Sequence, residues 1–173
     1  MSRLTKPLLF ASPEECERAF YEALEAADAE AVVDLWLEDD DVVCVHPNGP
    51  RLLGYAAVRA SWNSILSNGP LHVRGTSRKS LDTPTVAVHN VIEEVLVGEG
   101  KAQQVVSVVA TNAYVKTTAG WKMVLHHDDA ESQRGENGAQ GASRGARAPA
   151  SLCIVRMIAS QMFRSHPRPV AIR

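Results

Sequence analysis

From Leu71 to Asp128 the chain is a succession of extended runs separated by turn signals, and that pattern leaves few folds open. Leu71 to Leu81 alternates loosely between apolar and polar residues until Asp82-Thr83-Pro84 breaks it. Thr85 to Val97 is a second run ended by Gly98-Glu99-Gly100-Lys101, Gln103 to Thr117 a third closed by Thr118-Ala119-Gly120, and Trp121 to Asp128 a fourth. Linkers this short cannot cross a sheet, so the four strands form an antiparallel meander. Between Val105 and Val109 both strand parities are apolar. That predicts cover on both faces, and hence a homodimer packed sheet to sheet.

The first part of the chain is helical. Ser12-Pro13-Glu14-Glu15 reads as a helix start: a serine cap, proline at the first helical position and glutamate three residues after the cap. Cys16, Ala19, Phe20, Ala23, Leu24 and Ala27 recur three and four apart, so one apolar stripe runs to about Ala27. Asp28 caps a second helix predicted over Ala29 to Leu37, with Val32, Leu35 and Trp36 on one face. The acidic run Glu38-Asp39-Asp40-Asp41 is unfavourable at the negative end of a helix dipole and marks a solvated turn. Val42 to His46 is then a short strand, reversed at Pro47-Asn48-Gly49. Gly54 opens a third helix, whose Tyr55, Val58, Trp62, Ile65 and Leu66 share a face until Asn68-Gly69-Pro70 stops it.

The expected architecture is therefore α+β over residues 13–130, a curved antiparallel sheet packed on three N-terminal helices. Residues 1–12 form an N-terminal extension. A chain of 173 residues that is 45% hydrophobic and 22% charged supplies enough apolar surface for one core. Residues 131–173 lack the apolar content that offsets chain entropy and are expected to be a basic, disordered tail, with one candidate amphipathic helix at 152–163. Seven arginines against two acids give that tail +5, which leaves −7 for the body of a chain whose net charge is −2. An acidic body argues against a nucleic-acid surface, and the tail either meets an acidic partner or is a solvated appendage. Cys16, Cys44 and Cys153 show no pairing motif, and no apolar run approaches the length of a membrane span. A cytoplasmic protein with buried thiols and no membrane contact is expected.

Several short segments, in this order, resemble the nuclear transport factor 2-like superfamily, in its SnoaL-like and ketosteroid-isomerase-like branch. They are Ala23-Leu24-Glu25-Ala26-Ala27-Asp28, Leu35-Trp36-Leu37-Glu38-Asp39-Asp40, Val45-His46-Pro47 with Gly54, Ala110-Thr111-Asn112-Ala113-Tyr114, and Gly120-Trp121-Lys122-Met123-Val124-Leu125-His126-His127. The resemblance covers Glu14 to about Asp129 and implies a cone whose interior holds a ligand. Isomerases of this branch place a carboxylate base at the end of the first strand before a proline, which here is His46. Their helix tyrosine falls at Phe20, with Tyr21 adjacent and pointing elsewhere, and their partner acid falls near Asn112. These departures argue against ketosteroid isomerisation itself.

The resemblance and the residues together give a candidate site. His46 is the candidate base, since an imidazole takes a proton near neutral pH, and Asn112 or His127 the polariser. The plainer alternative is that His46 only caps its strand. On the last strand Trp121, Met123, Leu125 and His127 share the more apolar parity, so His127 is expected inward and His126 outward. Phe20, Trp36, Trp62 and Tyr114 are the candidate ligand wall, with core packing the alternative for Trp62. His89, Glu93 and Glu94 are expected at the rim or surface. A metal set of His46, His127 and Asp128 would need a bulge to align neighbours of opposite parity, so neither a metal nor any other cofactor is expected. The functional expectation is a pocket for a small, mostly apolar organic molecule, with proton-transfer chemistry of the isomerase or cyclase kind. The alternative is a non-catalytic binding or dimerisation module.

Overall fold

The computed structural model describes residues 9–98, 100 and 103–130; most of the N-terminal extension and the predicted basic tail lie outside the described residues. Helix α1 spans Pro13–Glu25 and begins as its sequence requires. The Ser12 hydroxyl accepts the Glu15 N–H at 3.2 Å, while the Glu15 carboxylate reaches back to the Ala11 N–H at 2.8 Å. Its stripe of Cys16, Phe20, Ala23 and Leu24 is buried, and Glu17 is buried with it.

Helix α2, Ala29–Asp34, is capped by Asp28 and ends three residues before the predicted Leu37. The chain leaves the helix there to bridge the last strand. Leu37 N–H donates to Met123 O at 2.9 Å and Met123 N–H to Leu35 O at 2.8 Å, bonds that a continued helix could not make.

Strands β1 (Val43–Val45) and β2 (Arg51–Leu53) follow, then helix α3 (Tyr55–Leu66) and the long strands β3 (Val73–Asp82), β4 (Val86–Val97), β5 (Gln104–Thr117) and β6 (Gly120–Ala130). The sheet order is β2-β1-β6-β5-β4-β3. Every neighbouring pair is antiparallel except β1 with β6, so the predicted meander is present and β1 closes its far side. Strand β2 was not expected. Three residues without alternation carry no strand signal, and only pairing with β1 makes Arg51–Leu53 extended. Gly54 then turns the chain into α3 at φ 81°, a conformation a side chain would resist.

Helices α1 and α3 lie on one face of the sheet, where Phe20 and Trp62 meet the His126 ring with centroids 5.2 and 5.8 Å away. Burial alternates cleanly along β4: Ala87, His89, Val91, Glu93, Val95 and Val97 face the helices. On β6 the alternation breaks once. Tyr114 pairs with Met123 and Ala113 with Leu125, so Val124 is an extra, bulged residue. Trp121 and Met123 are buried before the bulge, His126 and Asp128 after it. On the opposite face Val88, Ile92, Val109 and Ala113 are half-buried, and among the described residues no helix covers them. No described helix is long and apolar enough to cross a membrane.

Candidate functional site

Between α1, α3 and the inner face of the sheet lies a cavity of about 260 Å³. Its walls are apolar, from Phe20 and Leu24 on α1, Trp62 and Ile65 on α3, and Val95 and Val108 on the sheet. Residues 68–73 and the β4–β5 end, Val97, Gly98 and Gln103, make its rim. Its polar surface includes Glu93 of β4 and His126 and Asp128 of β6, which are 2%, 1% and 8% exposed. Such exclusion from water is what makes these three groups chemically informative.

His126 is held on both sides. Its Nδ1 lies 2.7 Å from Asn112 Oδ1 and its Nε2 2.9 Å from Asp128 Oδ2, so both ring nitrogens face hydrogen-bond acceptors. Burial by itself would push the His126 pKa down. The Asp128 charge and hydrogen bond, with Glu93 beyond, outweigh it and raise the pKa above the ordinary histidine value. Glu93 accepts a hydrogen bond from the Tyr21 hydroxyl at 2.8 Å. Burial, then the Asp128 charge, push its carboxyl up to about 8 against the opposing pull of His126 and Tyr21. Asp128 keeps one oxygen, Oδ1, buried and without a hydrogen-bond partner among the described residues.

The residues predicted from sequence separate into those the fold brings to this site and those it does not. Phe20 and Trp62 line the cavity, and Asn112 lies beneath it, fully buried against His126. His46 is buried but stands behind the wall. Its Nε2 shares a hydrogen bond with Ser61 Oγ at 2.9 Å, its ring meets the Trp62 edge at 4.8 Å, and Pro47 rather than His46 reaches the cavity. Burial, aided by the nearby His126 charge, lowers its pKa to about 4, with Asp128 pulling weakly the other way. Trp36 is buried at the bridge to Met123, away from the cavity lining. Tyr114 is buried too, its hydroxyl donating to Glu17 Oε2 at 3.4 Å.

Two expectations are corrected. His127 is exposed and His126 is the inward histidine, because the Val124 bulge reverses the parity of everything after it. His89 and Glu93, expected at the rim or surface, are 0% and 2% exposed. The burial of Glu93 is legible in the sequence, since it shares its parity with Val91, Val95 and Val97. The bulge has no signature in the residues around Val124.

The SnoaL-like domain family profile matches residues 14–128. This chain belongs to the SnoaL-like domain family. A solved structure from Thiobacillus denitrificans, described as a candidate calcium/calmodulin-dependent protein kinase type II association domain, is 32% identical; the match covers 72% of this chain and 99% of that one, with a TM-score of 0.66. A structure from Streptomyces avermitilis, described as a candidate dehydratase of the nuclear transport factor 2-like family, is 30% identical over 66% of this chain and 90% of its own, with a TM-score of 0.60. A nuclear transport factor 2-like superfamily protein of Salmonella enterica shares the fold at 10% identity, covering 73% of this chain and 93% of its own with a TM-score of 0.61. No curated protein matches the chain significantly. This SnoaL-like domain thus has the predicted α+β architecture, and its relatives carry unlike descriptions.

Proposed function

We propose that the SnoaL-like cavity binds a small, mostly apolar organic molecule and presents its oxygen-bearing end to Glu93, His126 and Asp128 for proton transfer of the isomerase, cyclase or dehydratase kind. The observation that carries this reading is the placement of three buried ionisable groups on one side of an otherwise apolar cavity. Asp128 Oδ1, one of several buried side-chain atoms without a partner among the described residues, is the one carboxylate oxygen among them, and its residue lines the cavity. A cavity of about 150 Å³ is enough for benzene, so about 260 Å³ suits a molecule somewhat larger than one ring. Glu93 is the group suited to give a proton and the His126–Asp128 pair the one suited to hold compensating charge. The base role expected of His46 passes to this set, and His46 acts as support behind Trp62. The description of the Streptomyces relative as a candidate dehydratase is in keeping with such chemistry.

A thermal-shift screen against aromatic, terpenoid and polyketide-like compounds tests the reading, because a ligand that binds the folded state raises its apparent stability by mass action. The expected result is a hit whose shift is lost in Ile65→Phe, which fills the cavity. A hit that Ile65→Phe leaves unchanged places binding elsewhere, and the reading fails.

A second reading is association through the sheet. The uncovered apolar face with Val88, Ile92, Val109 and Ala113 favours it, as do the relatives from Thiobacillus denitrificans and Xanthomonas campestris described as association domains. A homodimer of this kind is compatible with ligand binding, and light scattering on wild type and Val109→Asp separates dimer from monomer. A monomeric wild type removes it.

A further inference from the structure

We infer that Glu93, His126 and Asp128 form a binding site for one divalent transition-metal ion of the zinc or manganese type, with its open coordination position toward the cavity. One ligand atom from each residue lies within 4.8 Å of the others, and the His126 Nε2 to Asp128 Oδ2 separation is 2.9 Å. Ligands around a tetrahedral ion at about 2.1 Å stand about 3.4 Å apart, so the set asks the Glu93 carboxylate to close by at most about 1.4 Å and the His126–Asp128 pair to part by about 0.5 Å.

Four independent features point to a cation here. Two carboxyl groups are buried together with an imidazole as the one group able to carry positive charge beside them, for among the described residues no arginine or lysine forms an ion pair with any of the three. Asp128 Oδ1 is a buried acceptor with no donor among the described residues. Asn112 Oδ1 accepts the Nδ1–H of His126, the outer bond that fixes a metal-ligating imidazole, and the ion would replace the proton that Nε2 shares with Asp128 Oδ2. Tyr21, which does not line the cavity, donates to Glu93 Oε1 and orients that carboxylate from behind. One nitrogen and two carboxylate ligands suit zinc or manganese better than magnesium or calcium, which favour all-oxygen sets.

The other cluster with ligand spacing, Glu14, Asp82 and His89, also has an unpartnered imidazole nitrogen, His89 Nε2, but it differs in exposure and charge. It is partly exposed, and Arg78 already stands 4.0 Å from Glu14. The inference rests on the reading of the Glu93, His126 and Asp128 side of the cavity as its reactive end, where a bound ion would polarise an oxygen of the organic ligand.

The test is titration of the full-length, chelator-treated chain with Zn²⁺ and Mn²⁺ by calorimetry, and with Co²⁺ by visible absorption. The expected result is one ion per chain, with affinity lowered at least about tenfold in Glu93→Gln and His126→Gln and about tenfold in Asn112→Ala, and unchanged in His127→Gln and Glu94→Gln on the outer parity. Absence of saturable binding to the wild type, or binding that survives in Glu93→Gln, overturns the site. Circular dichroism reports folding, and where His126→Gln does not fold, the near-isosteric Glu93→Gln and Asn112→Ala decide. Organic-ligand binding to the chelator-treated protein is measured alongside. Lost ion binding with retained ligand binding defeats the metal site alone, and the converse defeats only the cavity reading.

Discussion

Two buried histidines sit on the inner face of the same sheet among acids, and their surroundings differ in charge and in adjoining space. His89 on β4 is fully buried and lies 2.6 Å from Glu17 Oε2, while Arg78 reaches Glu17 Oε1 at 3.3 Å and Tyr114 donates to the same carboxylate. That cluster brings its own cation, partly exposed at the edge strand. His126 on β6 has Asp128 and Glu93 but no arginine, and its cluster opens on a cavity. The first arrangement ties α1 to the sheet. The second leaves electrostatic demand facing a space that a ligand can enter, and that asymmetry separates a structural network from a candidate site.

The comparison breaks most visibly in activity. In Glu93→Gln, turnover on any true substrate should fall by at least about a hundredfold with folding retained, since a positioned acid or base is worth about 10²–10⁴-fold; steady-state kinetics on the screen's hits checks this. A near-wild-type rate would make the His126 side as structural as the His89 side.

Glu17→Leu should show the opposite profile. Removing the shared carboxylate strands His89 and Arg78 and should cost about 3 kcal/mol in urea unfolding, while ligand affinity at the cavity stays within about twofold. Little loss of stability would mean that the Glu17 network does not hold α1 to the sheet.

His46 sharpens the comparison because it is buried without an acid in hydrogen-bond contact, and its pKa is lowered to about 4. The unfolded chain, with an ordinary histidine pKa of about 6.5, takes up this proton first. Stability is therefore complete above about pH 6.5 and is lost as pH falls toward 4. Relative to His46→Gln, wild type should lose about 2 kcal/mol between pH 7 and 4.5 in denaturant titrations. A flat difference would show that His46 is not held neutral by burial.

Ser61→Ala should have the smallest effect, about 1 kcal/mol, since it removes the one hydroxyl bonded to His46 Nε2 and leaves the cavity polar groups in place. A larger loss accompanied by weakened ligand binding would mean that His46 and Ser61 act on the site through Trp62.

The residues by themselves determined the elements and their order. The Ser12 cap, the stripes on α1 and α3, and the turns at Asp82-Thr83-Pro84, Gly98 and Gly120 are local signals, and local geometry obeyed them. The stripes placed Phe20 and Trp62 at the cavity, and the family resemblance placed Asn112 beside it. Tertiary pairing decided the rest. Helix α2 stopped early because Met123 offered its backbone to Leu37, and β2 exists because β1 needed a partner. One bulged residue, Val124, exchanged His127 for His126 and brought Asp128 in with it. Strand parity is a two-state choice fixed by cross-strand register, so an insertion set by the packing of β5 on β6 rewrites which groups meet in the cavity without changing a single propensity.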